Sequence, residues 1–371
     1  RLQQIGKIRP RHARDVSSSR LGIGFEKLDR NVFDPGKAYD KVAELGVKWV
    51  RIQSGWARTE TVRGVYSFGW LDDIVQNLVS RGLQPWVCLC YGNGLYTPEG
   101  NKYFGAVGVP PINSPQALSA WQAYVTALAE RYHNQVSCFE VWNEPDGVWC
   151  WKQGPSGADY ARFVAATSRA VRQGNPRARV FGGSVCANSL RFLQEAFSHG
   201  MGEWIDALTF HAYTPSEEEV AHRIRALRAL CHSHAPQIGL IQGESGSQSD
   251  SRGAGALNGG AWTPLRQAKQ LLRHAVTDLM NGVEFSSYFT TVDMVEALHG
   301  LTGDKASYLD YGYFGVLSAS FDEDGFATGG YEPKPSYYAY QALAALLADS
   351  PTVCQLPALM QAGPSKRTLG Q

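Results

Sequence analysis

Two glutamates stand where a carboxylate could take part in catalysis. Glu144 lies in the segment VWNEPDG (141–147) and Glu244 lies in LIQGESG (240–246), each after a short apolar run typical of a buried strand. Each is followed by a turn built from Gly, Pro, Asp or Ser. Two carboxylates at the ends of two barrel strands are the groups that a retaining glycosidase uses. We therefore expect an enzyme that cleaves O-glycosidic bonds, with Glu144 and Glu244 as its catalytic pair.

Neighbouring side chains predict separate roles for the two glutamates. A proton donor needs a raised pKa, and Trp142, two residues before Glu144, offers an apolar neighbour. A nucleophilic carboxylate needs a low pKa and a fixed orientation. Arg51 on the second predicted strand and Tyr213 on the sixth are candidates to hold Glu244 by hydrogen bonds.

Two further polar residues are expected at the same site. His211 lies two residues before Tyr213 and shares its face of the strand, so we place it on the floor of the active site and not in an ordinary core position. Asn143 can hydrogen-bond a sugar hydroxyl. Strict alternation along a strand would put Asn143 and Glu144 on opposite faces, so both can serve only if the strand bends, and Pro145 makes a bend plausible.

Other candidates for sugar contact lie around the same strand ends. Lys27 ends the first strand and can reach a carboxylate or hydroxyl of the sugar, the alternative being a surface salt bridge. Trp149 and Trp151 follow the predicted proton donor and can stack on sugar rings, the alternative being packing of the loop on the fourth helix. Glu140 lies deeper on the same strand as Glu144, so we expect it in the barrel interior, paired with a basic group.

The rest of the chain alternates strand-like and helical patterns. Continuous apolar runs rich in Val, Ile and Phe suit parallel strands that are covered on both sides. The eight predicted strands are 21–29, 48–53, 84–92, 136–145, 179–185, 205–213, 238–246 and 282–293. The predicted helices are 34–46, 68–82, 114–132, 156–174, 189–199, 217–234, 263–281 and 334–348. Eight β-α alternations predict an α/β protein with a (β/α)8 TIM barrel.

Two long segments interrupt this alternation. Segments 93–113 and 294–333 follow the third and eighth strands, and in a barrel such loops form the catalytic face. They favour a closed, pocket-like site and exo action. An open doubly wound sheet is the alternative fold, and it is disfavoured because the sequence GIGFEK lacks the third glycine of a phosphate loop and does not run into a helix.

Composition limits the remaining functions. The 371 residues are 44% hydrophobic and 19% charged, which suits one large domain. We expect an N-terminal extension at 1–20, solvated or packed on the barrel, a catalytic barrel at 21–350 and a C-terminal tail at 351–371. The net charge of +1 predicts no nucleic-acid partner. No apolar run reaches transmembrane length, so no membrane insertion is expected.

The cysteine pattern and the first residue bear on cofactors and on location. The seven cysteines form no CxxC pair and HExxH is absent, so no metal or other cofactor is expected. The chain does not begin with Met, which leaves open a removed signal and a secreted or periplasmic location as well as a cytoplasmic one. The sequence does not indicate an oligomeric state.

The motifs together resemble a known clan. With WNEP on a fourth strand, HAY on a sixth, Glu on a seventh and Arg on a second, the chain resembles glycoside hydrolase clan A. The most similar group is the β-xylosidase and α-L-iduronidase family, family 39, over about 21–345. The resemblance implies that Glu144 is the acid/base, that Glu244 is the nucleophile and that Asn143 contacts the sugar 2-hydroxyl. The clan's strand-two Arg and strand-six His and Tyr correspond to Arg51, His211 and Tyr213.

Two positions depart from this pattern. Clan members usually carry a Trp on strand eight as the floor of the sugar site, whereas this chain has SSYFTTVD, so Tyr288 or Phe289 must substitute. The nucleophile context GESG also differs from the more usual TEW or TEF of family 39. The expected substrate is an oligosaccharide or glycoside with a β-linked sugar of xyloside, galactoside or glucoside type. The alternatives are a non-catalytic carbohydrate-binding barrel and a metal-dependent barrel hydrolase, although only His211 fits the latter.

Overall fold

A computed structural model describes residues 6–187, 189–297 and 299–349 of the chain. Eight parallel strands form a closed barrel in chain order, and β8 closes on β1. The predicted (β/α)8 barrel is therefore confirmed. Its strands are β1 Leu21–Gly24, β2 Trp49–Gln53, β3 Gln84–Leu89, β4 Cys138–Val141, β5 Arg179–Val185, β6 Ala207–His211, β7 Gly239–Ser245 and β8 Ser286–Tyr288.

The predicted helices lie between these strands. Ser or Thr side chains accept a hydrogen bond from a first-turn amide of α4, α5, α6, α7 and α8, which explains where those helices begin. Segment 34–46 is a 3-10 turn followed by a short helix, and the short α2 was not predicted. The helices are α1 Tyr39–Glu44, α2 Trp56–Thr59, α3 Gly69–Ser80, α4 Pro115–Arg131, α5 Gly157–Gly174, α6 Leu190–Ser198, α7 Glu217–His234, α8 Pro264–Met280 and α9 Pro335–Leu347.

Several strands end earlier than the sequence predicted. The predicted strand 136–145 stops pairing at Val141, because Trp142 and Glu144 adopt positive φ angles of 67° and 47°. The predicted strand 282–293 is reduced to the three residues of β8. Residues just beyond the strands therefore belong to turns on the carboxyl-end face, where a (β/α)8 barrel carries its active site.

The two long loops meet above that face. The backbone amide of Phe104, in the loop after β3, donates to the carbonyl of Gly300, in the loop after β8, over 2.9 Å. The loop after β8 also contains two antiparallel strand pairs. Those strands are β9 Met294–Val295, β10 Tyr311–Gly312, β11 Leu317–Phe321 and β12 Ala327–Pro333.

The N-terminal segment packs against the opposite end of the barrel. The buried Lys48 ammonium donates to the carbonyls of Ala13 at 2.9 Å and Val16 at 2.6 Å. A Cβ on Gly82 would lie 2.8 Å from the Cα of Arg14, so the close approach of the N-terminal segment to this turn requires glycine at position 82. The tail predicted at 351–371 lies outside the described residues. No helix in the described part of the chain is long and apolar enough to cross a bilayer.

Candidate active site

A cavity of about 600 Å3 opens at the carboxyl ends of the strands. This volume lies within the range of about 300–1,000 Å3 that is typical of small-molecule sites. Residues at the ends of the eight strands, or in the segments that follow them, contribute to its walls. We refer to it as the catalytic pocket. Seven of the predicted site residues line it, namely Glu144, Glu244, Asn143, Tyr213, Lys27, Trp149 and Phe289.

Glu244 is held at both carboxylate oxygens. Arg51 donates to Oε2 over 2.9 Å, and the Tyr213 hydroxyl donates to Oε1 over 2.5 Å. The Arg51 side chain is fully buried and also donates to Glu26 at 2.9 Å and Glu140 at 2.6 Å. One guanidinium thus links three carboxylates, and such charge-assisted bonds fix their orientation. Glu140 is paired in the barrel interior, as predicted.

Arg51 also orients Asn143. A guanidinium N–H donates to Oδ1 of Asn143 over 2.8 Å, and the Asn143 amide donates to the Tyr91 hydroxyl over 3.0 Å. These bonds fix which side of the amide is the acceptor. Asn143 is nearly buried yet lines the catalytic pocket. Its amide therefore lies in the same pocket as the two glutamates, with its orientation fixed by hydrogen bonds.

The turn after β4 places Glu144 in the same pocket. The positive φ angles of Trp142 and Glu144 break the strand alternation, so Asn143 and Glu144 both line the cavity. The role predicted for Trp142 is wrong. Its side chain is fully buried in the core and donates to the carbonyl of Cys150 over 2.7 Å, because the left-handed turn carries it away from the pocket.

The neighbours of Glu144 are N–H donors and not apolar groups. His211 Nδ1 lies 2.9 Å from Oε1, and the Trp149 indole N–H donates to Oε2. Burial favours a higher pKa for Glu144, but the hydrogen bond and charge of His211 and the Trp149 bond outweigh burial and hold it below its usual value. The sequence predicts a raised pKa for Glu144 as a proton donor. The structure gives a lowered one, because His211 and Trp149 both donate to its carboxylate.

The pKa of His211 shifts in the direction opposite to that of Glu144. Burial favours a lower pKa, but the negative charges of Glu244 and Glu144 raise it above the usual value. The fully buried ring lies between the two glutamates, with Nδ1 2.9 Å from Glu144 and 3.9 Å from Glu244. Ser184 Oγ lies 3.3 Å from its other nitrogen. The two shifts together favour a proton on His211 over one on Glu144.

The two predicted catalytic carboxylates face each other at short range. One oxygen of Glu144, one oxygen of Glu244 and a ring nitrogen of His211 all lie within 4.8 Å of one another. Carboxyl separations of about 5–5.5 Å suit a retaining mechanism, whereas about 6.5–9.5 Å suits inversion. The same three groups have the chemistry of a metal site. Arg51 and Tyr213 already donate to both oxygens of Glu244, which disfavours a cation there.

Lys27 and Phe289 line the pocket in different ways. The Lys27 ammonium donates to the carbonyl of Val295 over 2.9 Å and lies 3.4 Å from Glu296, so an internal acid balances its charge. The Phe289 ring lies 5.4 Å from that of Phe314, and together they form an aromatic wall. Of the two substitutes predicted for the strand-eight Trp, Phe289 is the one that the structure places in the pocket.

Tyr288 and Trp151 lie outside the pocket. The Tyr288 hydroxyl donates to the carbonyls of Phe314 at 3.1 Å and Ser247 at 3.3 Å, and its ring lines a small separate cavity next to α8 and α9. Trp151 is fully buried against Tyr160 of α5, with ring centroids 6.0 Å apart. Their predicted sugar contacts do not fit these positions. For Trp151 the packing alternative does.

Other pocket residues were not assigned a site role from the sequence. Glu26 lines the pocket, and burial raises its pKa to about 7. Its Oε2 accepts from Arg51, while Oε1 has no partner within the described residues. The sequence could have indicated a site role for Glu26, because this residue lies beside Lys27 near the end of the first predicted strand. Glu296 and Phe314 come from the long loop after β8, whose path the sequence does not reveal.

Fold and site together define a class of protein. A closed (β/α)8 barrel with two facing glutamates, one on the turn after β4 and one near the end of β7, is the architecture of a clan A glycoside hydrolase. Residues 26–230, more than half of the chain, match the model of glycosyl hydrolases family 39. The chain belongs to that family, which confirms the resemblance.

Known proteins with similar sequences cover only part of this chain. A beta-xylosidase of Geobacillus stearothermophilus is 27% identical over 160 residues, which are 40% of this chain and 31% of that protein. Beta-galactosidase BgaA of Clostridium cellulovorans is 28% identical over 149 residues, 35% of this chain and 22% of that protein. The matched part thus spans less than a third of either relative.

A solved structure supports the fold over a longer range. A monomeric beta-xylosidase from Caulobacter crescentus superposes with a TM-score of 0.65 and 19% sequence identity. The match covers 90% of this chain and 68% of that one. At this identity the likeness establishes the shared barrel fold.

Proposed function

We propose that this protein is a retaining glycoside hydrolase that acts on a β-linked sugar. The observation that carries the proposal is the pair of facing carboxylates, with oxygens of Glu144 and Glu244 within 4.8 Å of each other in the catalytic pocket. The names of the two relatives favour β-xylosides and β-galactosides. Exo action remains a prediction from the long loops after β3 and β8.

In the first step Glu244 acts as the nucleophile. A carboxylate oxygen of Glu244 attacks the anomeric carbon, the bond to the leaving oxygen breaks, and Glu144 gives that oxygen a proton. Arg51 and Tyr213 donate to Glu244, which fixes its orientation before attack. Asn143 accepts a hydrogen bond from Arg51, and in the proposed mechanism its amide contacts the sugar hydroxyl next to the reacting carbon.

In the second step Glu144 acts as a base. Water attacks the anomeric carbon and passes a proton to Glu144, and the bond to Glu244 breaks to restore the carboxylate. The product keeps the β configuration because two inversions occur in sequence. An acceptor sugar in place of water would give transglycosylation.

His211 supplies a store for the catalytic proton. The negative charge of Glu244 stabilises a proton on His211, 3.9 Å away. That charge disappears when Glu244 forms the ester, so the proton can move through Glu144 to the leaving oxygen. Hydrolysis restores the charge and draws a proton back. A lowered pKa of Glu144 in the free protein is in this way compatible with its role as an acid.

Removal of the nucleophile tests the proposal. Glu244→Gln should abolish hydrolysis of a panel of 4-nitrophenyl β-glycosides, and azide should rescue Glu244→Gly while forming an α-glycosyl azide of inverted configuration. Glu218→Gln, at an exposed glutamate on α7, is the matched control and should retain activity. Wild-type rates in the Glu244 variants would exclude the assignment.

The alternative functions give different outcomes. A carbohydrate-binding barrel would bind sugars without turnover of any glycoside in the panel. A metal-dependent hydrolase would lose activity with a chelator, whereas the proposed route uses carboxylates alone and should be insensitive.

A further inference from the structure

A second cavity lies beside the catalytic pocket on the same face of the barrel. Its volume is about 340 Å3, which is also within the range for small-molecule sites. Its walls come from the segment after β1, the loop after β3 and the long segment after β8. Arg30 lines both cavities, so the two are neighbours with one shared wall. We refer to it as the side cavity.

The side cavity combines aromatic rings with carboxylates. The rings of Phe104 and Tyr308 stack with centroids 4.9 Å apart and planes 10° apart, and Phe326 lines the same space. Asp322 and Asp324 contribute exposed side chains. Aromatic faces pack on the C–H faces of sugar rings, and carboxylates accept bonds from hydroxyls. Lys305 pairs with Asp324, and Arg30 lines the same cavity, so the lining carries charges of both signs. It offers no excess of cations to hold a phosphate or a nucleic acid, so a neutral sugar fits best.

Arg30 provides a hydrogen-bond donor at the shared wall. Its side chain is buried, Nη2 donates to Gln53 Oε1 over 2.7 Å, and Nη1 has no partner within the described residues. A Cβ on Gly105 would lie 2.6 Å from Arg30 Cγ, so this glycine lets the arginine stem lie against the loop after β3. An unsatisfied buried N–H costs free energy, and a ligand hydroxyl at the wall would satisfy it.

The position of the side cavity indicates which part of a substrate it would hold. The proposed proton donor Glu144 and its neighbour Trp149 follow β4, so the leaving group departs on that side. In the closed barrel β1 and β8 lie across from β4 and β5. Apart from Phe104, the residues that line the side cavity follow β1 or β8, so the cavity lies towards the sugar that stays bonded to Glu244.

We infer that the side cavity is a second sugar subsite on the retained side of the cleaved bond. This inference rests on the proposed glycosidase function. The preferred substrate then carries at least two neutral sugar units before the cleaved bond, and the released product is a disaccharide or longer. Removal of single terminal sugars would be the slower reaction.

Paired substrates test this inference. We compare 4-nitrophenyl β-xyloside, β-galactoside and β-glucoside with the 4-nitrophenyl β-disaccharides of the same sugars. For the best sugar, kcat/KM should be about fivefold or more higher for the disaccharide. One aromatic contact contributes about 1 kcal/mol, which is about fivefold because about 1.4 kcal/mol is tenfold. Equal values for one-sugar and two-sugar substrates would overturn the subsite.

Variants link the preference to the side cavity. Tyr308→Ala should lower the ratio of disaccharide to monosaccharide kcat/KM to near one, and Tyr308→Phe, which keeps the ring, should preserve it. Phe326→Ala should lower the same ratio, and it replaces Tyr308→Ala as the test if that variant does not fold. Tyr338→Ala, at an exposed tyrosine on α9, is the matched control and should leave the ratio unchanged. A ratio unaffected by both cavity variants would contradict the inference.

Failure of the proposed function would be recognised separately. If no glycoside of either length is hydrolysed, the hydrolase assignment fails. Calorimetric measurement of disaccharide and monosaccharide binding to the wild-type protein still tests the subsite. Tighter binding of a disaccharide than of its monosaccharide, lost in Tyr308→Ala, supports the side cavity as a sugar site. Equal binding of the two across the panel overturns it.

Discussion

Replacement of His211 gives a specific test of the proton path. His211→Asn keeps a small polar side chain but removes the group that stores a proton between Glu144 and Glu244. Glycosides with a poor leaving group need protonation of the leaving oxygen, whereas 2,4-dinitrophenyl glycosides hardly need it. The variant should therefore lose activity selectively on the poor leaving group.

The expected size of the loss follows from the geometry. His211 Nδ1 and Glu244 Oε2 are 3.9 Å apart. At an effective dielectric constant of about 20, two unit charges at this distance interact by about 4 kcal/mol. This energy corresponds to about a thousandfold in rate, within the range of about 10²–10⁴ for general acid catalysis. We expect that loss for a phenyl β-glycoside and about tenfold or less for the 2,4-dinitrophenyl compound.

The pH profile provides a second measurement. The pKa of His211 is raised above its usual value by Glu244 and Glu144. Because a raised pKa keeps the proton bound to higher pH, wild-type kcat/KM for the phenyl glycoside should hold through neutral pH and fall as pH rises through that pKa. His211→Asn should remove this alkaline limb or move it to lower pH.

A matched buried histidine serves as the control. His274 lies outside the catalytic pocket, with Nδ1 3.4 Å from Ser245 Oγ. His274→Asn should affect both leaving groups equally. Equal losses on both substrates in His211→Asn would mean that His211 only supports the structure, and would refute the proton path.

Three further substitutions test the scaffold and the proton donor. Burial raises the pKa of Asp278 to about 7, so this carboxyl should contribute a fall in stability as pH rises from about 4 to 7. In denaturant titrations Asp278→Asn should remove that fall, about 4 kcal/mol of unfolding free energy. Gly246→Ala should lower that free energy by about 1–3 kcal/mol, because its Cβ would lie 2.0 Å from the carbonyl oxygen of Phe289. Trp149→Phe removes an N–H donor from Glu144, so the hydrogen-bonded pair of Glu144 and His211 should hold its proton more tightly. The alkaline limb of kcat/KM should then move to higher pH.

Each of these substitutions has a contradicting outcome. A pH dependence of stability that is the same in Asp278→Asn and wild type would contradict the buried neutral carboxyl. Unchanged stability of Gly246→Ala would contradict the close approach of the two loops. An alkaline limb that stays in place in Trp149→Phe would contradict the indole as a donor to Glu144.

The sequence predicted the barrel and the catalytic pair because both depend on local patterns. Apolar runs separated by helical periods identify eight strands, and Glu144 and Glu244 lie near the ends of two of them. Arg51, His211 and Tyr213 also lie on or next to strands, where alternation predicts the direction of a side chain. These three side chains contact the glutamates in the structure.

Features set by turns and long loops could not be predicted in the same way. The positive φ of Trp142 is rare for a large residue, and it ends the alternation from which the direction of the ring was predicted. Trp149 and Trp151 lie in one short loop, and nothing in the sequence shows which of them reaches the pocket. Glu296 and Phe314 come from a segment of about forty residues after β8 whose path depends on tertiary contacts.

The stereochemistry of hydrolysis tests the central claim most directly. Proton NMR of the wild-type reaction on a hydrolysed 4-nitrophenyl β-glycoside shows which anomer of the free sugar forms first, before mutarotation. Facing carboxylates within 4.8 Å predict that the β anomer forms first, with net retention. If the α anomer forms first, the mechanism inverts, and Glu244 does not act as the nucleophile of a double displacement.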